Sequence, residues 1–293
     1  MAFAKTSDDV ALYYEEHGEG KPLLFIHEFA GDHRSWSPQI RHFSRRYRCI
    51  VYGARGYPPS DVPTELASYS QLRAVDDALT VLNAANATTA HVVGNSMGGF
   101  TALHLGLRHP DRITALVAGG CGYGAHPSIE STFRVESEKI AAAFESEGAA
   151  GVAEWYGVGP ARVQYQNKDP HGHDEHVQLL REHNSLGATL TMRGVQMTRP
   201  SLYAMHDELA ALDVPALIIA GDEDDGVLDT DLMLKRTIPR CGLAILPRSG
   251  HLTNLEEPGL FNQLTEQFLT QVEHGKWGPR DSRSLSSSIT GAR

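Results

Sequence analysis

The chain has 293 residues, 41% of them hydrophobic, and a formal net charge of −10 at pH 7. That is enough apolar material for a large buried core in one or two domains. The acidic balance, with no basic stripe and no aromatic–basic repeat, argues against a nucleic-acid-binding surface.

No apolar h-region opens the chain, and no apolar run approaches the ~20 residues of a membrane span. Cys49, Cys121 and Cys241 are odd in number and far apart, which suits free thiols in a reducing compartment. These features predict a cytoplasmic protein.

In chain order, residues 10–16 alternate like a strand and residues 18–22 read as a turn. Residues 23–26 are a short apolar run, suited to a strand buried on both faces. A helix is expected at 36–46, a strand at 49–52 and a helix at 72–85. Then come a strand at 90–93, a helix at 100–107 and a strand at 113–117. Two later strands fall at 216–220 and 243–246, and a helix at 260–272 closes the series.

Strand and helix alternate, so the fold class is α/β, with a mostly parallel sheet covered by helices. The rhythm stops between residues 122 and about 200. There the pattern is helical, at 137–147 and 177–184, with no buried strand. An insertion of this kind reads as a lid over a site. The expected organisation is a core of residues 1–121 and 201–273, a helical lid of 122–200, and a flexible tail of 274–293.

The stretch Gly94-Asn95-Ser96-Met97-Gly98 fits G-x-S-x-G between an expected strand and an expected helix, the setting of a nucleophile elbow. The turn exposes the Ser96 hydroxyl at the carboxyl edge of the sheet. The following amides open a helix and favour developing negative charge. A serine needs a base to take its proton. In the order Ser, Asp or Glu, His, the base falls at His251, just past the last strand. The acid then lies in the cluster Asp222-Glu223-Asp224-Asp225 after the preceding strand.

On these residues the sequence resembles the α/β-hydrolase superfamily across roughly residues 8–273. The resemblance implies a doubly wound sheet of about eight strands, with the lid inserted before the last two. It places the acid three residues after Gly221, at Asp224, with Asp222 next in line. It also implies an oxyanion hole from the amides of Met97 and Phe29, the latter in Phe25-Ile26-His27-Glu28-Phe29, with Glu28 the other candidate donor. Glu28 stands where the family often has glycine, and Arg34 or Arg55 would neutralise it. His27, Glu28, Asn95 and Cys121 are expected to line the substrate pocket.

Other signals carry less. His171-Gly172-His173-Asp174-Glu175-His176 nearly matches a metal motif of a different fold, and is read as a polar stretch. No G-x-G-x-x-G follows a strand. No metal and no cofactor are therefore expected. The partner is a small-molecule substrate, not nucleic acid or membrane; a homodimer is left open. The stretch from Gly250 to Pro258 is similar to the esterase and enol-lactonase branch, implying ester, lactone or amide hydrolysis through an acyl-enzyme. Gly94-Asn95-Ser96-Met97-Gly98-Gly99 is also similar to the meta-cleavage-product hydrolases, which break carbon–carbon bonds. A receptor that keeps the triad is a third reading. Arg34, Arg55, Arg193 and Arg248 are candidates to meet an acidic substrate.

Overall fold

The computed structural model describes residues 2–285. Eight strands form one sheet: β1 (Ala2–Lys5), β2 (Ala11–His17), β3 (Lys21–Ile26), β4 (Tyr47–Tyr52), β5 (Ala90–Asn95), β6 (Ile113–Gly119), β7 (Ala216–Gly221) and β8 (Cys241–Leu246). Their order is β1-β2-β4-β3-β5-β6-β7-β8. β1 and β2 pair antiparallel, as do β2 and β4, and the strands from β4 to β8 are parallel. The expected α/β class and strand count therefore hold. β1 is an addition to the sequence reading. It is four residues at the sheet edge with only Ala4 buried, too short for alternation to register.

The central strands read as continuous apolar runs because helices cover both faces. On one face lie α1 (Ser37–Phe43) and, late in the chain, the helix at Pro258–Glu273. Trp36, Phe43, Phe261 and Phe268 pack there on Leu23, Phe25, Val93 and Val117. On the other face lie α2 (Gln71–Ala84) and α3 (Met97–Arg108). Val75, Ala78, Phe100 and Leu103 pack there on Leu24, Val92 and Leu116.

Between β6 and β7 the chain forms α4 (Glu130–Tyr156), α5 (Val163–Lys168), α6 (Pro170–Arg181) and α7 (Ser185–Thr191). α4 breaks at Gly148, whose φ of 72° is left-handed and suits glycine. α4, α6 and α7 share an apolar cluster, including Phe144, Val152 and Leu180, with Phe29, Tyr57 and Met97 beneath them. α8 (His206–Ala210) leads into β7, α9 (Asp225–Thr237) follows β7, and α10 (Thr253–Glu256) and α11 (Pro258–Glu273) end the core.

Part of the expected tail is anchored. The Trp277 ring sits edge-on to Phe268 at 4.7 Å, and its Nε1–H donates to the Arg240 carbonyl at 2.8 Å. Residues 286–293 of that tail lie outside the described residues. Among the described residues, no helix is long and apolar enough to cross a membrane.

Candidate active site

β5 ends at Asn95 and α3 begins at Met97, so Ser96 alone makes the turn. Its φ is 51° and its ψ is −114°, a conformation that costs an L-residue on the order of 1–3 kcal/mol. Backbone bonds hold it on both sides. The Ser96 N–H donates to the Gly119 carbonyl at 2.7 Å, and the Phe100 N–H donates to the Ser96 carbonyl at 3.0 Å. The flanking glycines follow from close approach. A Cβ on Gly94 would overlap the Gly98 carbonyl, and one on Gly98 would overlap the Ile26 carbonyl.

Asp224 follows β7 and His251 follows β8, so Ser96, Asp224 and His251 all sit at the carboxyl ends of parallel strands. The His251 ring contacts Asp224 through Nδ1 and Oδ2 at 2.7 Å. Asp224 is 1% exposed and His251 5%. With Nδ1–H donating to this carboxylate, Nε2 is left as the basic nitrogen. Asp222, the other candidate acid, instead accepts from the Ser249 N–H at 3.2 Å, and Glu223 and Asp222 are exposed.

Further contacts fix the imidazole. The Asn95 side-chain amide donates to the His251 carbonyl at 3.3 Å. The Tyr123 ring meets the imidazole edge-to-face at 5.2 Å. Glu256 accepts from the Gly250 and Leu252 N–H groups, at 2.7 and 3.0 Å, on either side of His251. Burial pushes the Glu256 carboxyl above its ordinary value, although those two bonds oppose it.

Ser96 and His251 line one cavity of about 320 Å³, within the size range of small-molecule sites. Phe29 and Tyr123 join them from the sheet side; Phe133, Ile140, Tyr156, Arg162, Met192 and Arg199 supply the opposing walls. The helical segment between β6 and β7 thus forms most of the enclosure. The Met97 N–H is in the first turn of α3 and has no intrahelical acceptor. The Phe29 N–H also has no backbone acceptor among the described residues.

Four residues expected at the pocket are not among those lining it. His27 is buried with both ring nitrogens on backbone: Nδ1 contacts the Glu28 carbonyl at 2.7 Å and Nε2 accepts from the Ala54 N–H at 3.0 Å. It braces the loop after β3. Asn95 is buried under His251 as described. Cys121 is fully buried beside Gly99, and burial pushes its thiol well above the ordinary value. Glu28 is buried and paired with Arg162 at 3.3 Å, not with the expected Arg34 or Arg55. Arg34 is held by Asp32 and Glu182, and Arg55 by Asp77 and Asp8. Burial is the largest single influence and opposes the Glu28 charge, but Arg162, His176, His251 and the Ala30 amide together hold the carboxyl below its ordinary value.

Of the arginines proposed to meet an acidic substrate, Arg193 pairs with Glu138 and Glu145, and Arg248 is exposed away from the cavity lining. The structure places Arg162 and Arg199 in the cavity instead. The histidine-rich stretch folds into α6, with His173 bonded to the Gly157 carbonyl at 2.9 Å and His171 exposed.

A sequence profile described as the alpha/beta hydrolase fold matches residues 21–146. The 3-oxoadipate enol-lactonase 1 of Acinetobacter baylyi is 26% identical over 251 residues, covering 86% of this chain and 89% of the relative. The 2-hydroxymuconate semialdehyde hydrolase of Pseudomonas putida is 29% identical over 282 residues, covering 88% and 90%. The crystal structure of the enol-lactonase from Burkholderia xenovorans superposes with a TM-score of 0.79 at 22% identity, covering 92% of this chain and all of that one. That superposition shares the fold. With the sheet order and the strand–serine–helix turn, these likenesses show that the chain has the alpha/beta hydrolase fold and is similar to that family over residues 21–146.

Proposed function

We propose that the chain is a serine hydrolase that cleaves a small carboxylic ester, lactone or related amide through an acyl-enzyme. Its relatives support hydrolase activity in general. The observation that carries the finer reading is the buried 2.7 Å Asp224–His251 contact in which His251 shares one cavity with the strained Ser96.

In this reading Ser96 Oγ bonds to the carbonyl carbon as its proton passes to His251 Nε2. Asp224 fixes the imidazole and stabilises its cation. The carbonyl oxygen takes up negative charge against the Phe29 and Met97 amides, each such donor being worth ~2.7–4 kcal/mol in the transition state. The intermediate collapses, and His251 returns the proton to the leaving alcohol or amine. Water then gives a proton to His251 and attacks the acyl carbon; the bond from that carbon to Ser96 Oγ breaks, His251 returns the proton to Ser96 Oγ, and the acid leaves. The helices between β6 and β7 act as a lid that encloses these steps.

Likeness to the 2-hydroxymuconate semialdehyde hydrolase favours carbon–carbon cleavage as the second reading. A fluorophosphonate probe is expected to label Ser96 stoichiometrically, and short esters to give a burst of leaving group. Absence of labelling at Ser96 removes the first reading. Turnover of a dienone acid without any ester or lactone turnover replaces it with the second.

A further inference from the structure

We propose that the substrate of this cavity carries a carboxylate and that Arg199 is the residue that receives it. The inference rests on reading the cavity as the acyl-transfer site, and it names the class of substrate that site takes.

Arg199 is 9% exposed and lines the cavity with Ser96 and His251. Its Nη1 donates to the Gln196 side-chain oxygen and its Nη2 to the Tyr123 carbonyl at 2.6 Å. Both acceptors are neutral. The guanidinium also lies 3.6 Å over the Phe100 ring and 5.2 Å from that of Phe133. Those contacts position the cation without neutralising it. Among the described residues it has no aspartate or glutamate partner, whereas Arg34, Arg55, Arg162 and Arg193 each have one.

A buried charge without a counter-charge is expensive, so proteins pair it or leave it for a ligand. Arg162 also lines the cavity, but Glu28 already offsets it. Glu136 is the one carboxylate among the lining residues, and it is exposed to solvent. The cavity therefore holds a single uncompensated positive charge, stacked on Phe100, whose backbone lies one turn of α3 beyond Ser96. A guanidinium suits a carboxylate by geometry as well as charge. Burial lowers the Arg199 pKa to about 10, which leaves it charged at neutral pH. Apolar walls from Phe133, Ile140 and Met192 keep water from screening the pair.

The test compares 4-nitrophenyl hydrogen glutarate with its neutral methyl ester on the full chain. Wild type is expected to favour the acid by about tenfold or more in kcat/KM. Arg199→Gln is expected to bring the ratio to about one, and Arg199→Lys to keep part of it. Each ratio is taken within one preparation, so the fraction folded cancels. Independently of turnover, calorimetry on the Ser96→Ala chain should detect binding of at least one of succinate, glutarate and adipate. A wild-type ratio at or below one, a ratio that survives Arg199→Gln, or no binding of all three diacids overturns the proposal. Binding of inorganic phosphate in preference to the diacids overturns it as well. Failure of the serine reading shows separately, as missing fluorophosphonate labelling with diacid binding still readable.

Discussion

Arg162, between α4 and α5, places its guanidinium 3.3 Å from the carboxylate of Glu28, on the loop after β3. Both side chains are buried, and His176 of α6 lies 3.5 Å from the other Glu28 oxygen. One ion pair thus ties the loop that carries Phe29 to the helices that roof the cavity. Glu28→Gln leaves the guanidinium buried without its counter-charge, a change that typically costs ~3–5 kcal/mol. Urea unfolding should show a loss of that order. A loss under about 1 kcal/mol would mean that solvent already shields the pair.

Asp224 is buried against His251, and under the proposed mechanism it fixes which imidazole nitrogen carries the proton. Asp224→Asn keeps the shape but favours the wrong tautomer, so kcat is expected to fall by ~10⁴ with the melting temperature little changed. Asp222→Asn removes an exposed charge while keeping an oxygen that can accept from the Ser249 amide, and should slow turnover by less than about tenfold, since orientation of the base is kept. A larger effect at Asp222 than at Asp224 would reassign the acid.

Burial pushes His104, His176 and His183 down to about 4. His176 faces Glu28, Arg162, His173 and Asp32; His183 faces Asp32, His27, Glu28 and His176; His104 faces Arg108 and Arg199. Each ring is neutral in the folded protein but takes up a proton when unfolded below about 6.5. The unfolded state therefore binds more protons, and stability rises with pH through this window. Their contribution is complete above pH 6.5 and is lost as pH falls toward 4, on the order of 3 kcal/mol for each group. Denaturant midpoints at pH 7, 5.5 and 4.5 should fall in that order, and equal midpoints would contradict the buried neutral state.

The sheet was legible because central strands must be apolar on both faces, as at Leu23–Ile26 and Val92–Val93. Ser96 was legible because only a G-x-S-x-G turn between strand and helix demands glycine at 94 and 98, and His251 because strand ends converge on one edge. Arg162, Arg199, Tyr123 and Glu256 were not. Arg162 meets Glu28 across 134 positions, and helices packed over a sheet have no register that fixes which residue faces inward. The Glu28 departure from the family glycine was visible in sequence, but its partner lay in the segment whose packing the sequence does not specify.

Gly98 links the nucleophile turn to the oxyanion loop. A Cβ there would overlap the Ile26 carbonyl and come within 2.9 Å of the His27 carbonyl, both backbone atoms that cannot swing aside. Gly98→Ala must therefore push α3 away from the end of β3. Overpacking of this kind costs ~1–3 kcal/mol in stability. The same movement separates the Met97 amide at the start of α3 from the Phe29 amide just past β3. Under the proposed mechanism those two donors hold one oxyanion, and a misplacement near 1 Å can cost ~10²-fold in rate. Gly98→Ala should thus lower kcat by about that factor in protein that remains folded by circular dichroism, with KM nearly unchanged because the oxyanion forms only in the transition state. A folded variant with wild-type kcat would separate the Gly98 contact from the oxyanion geometry.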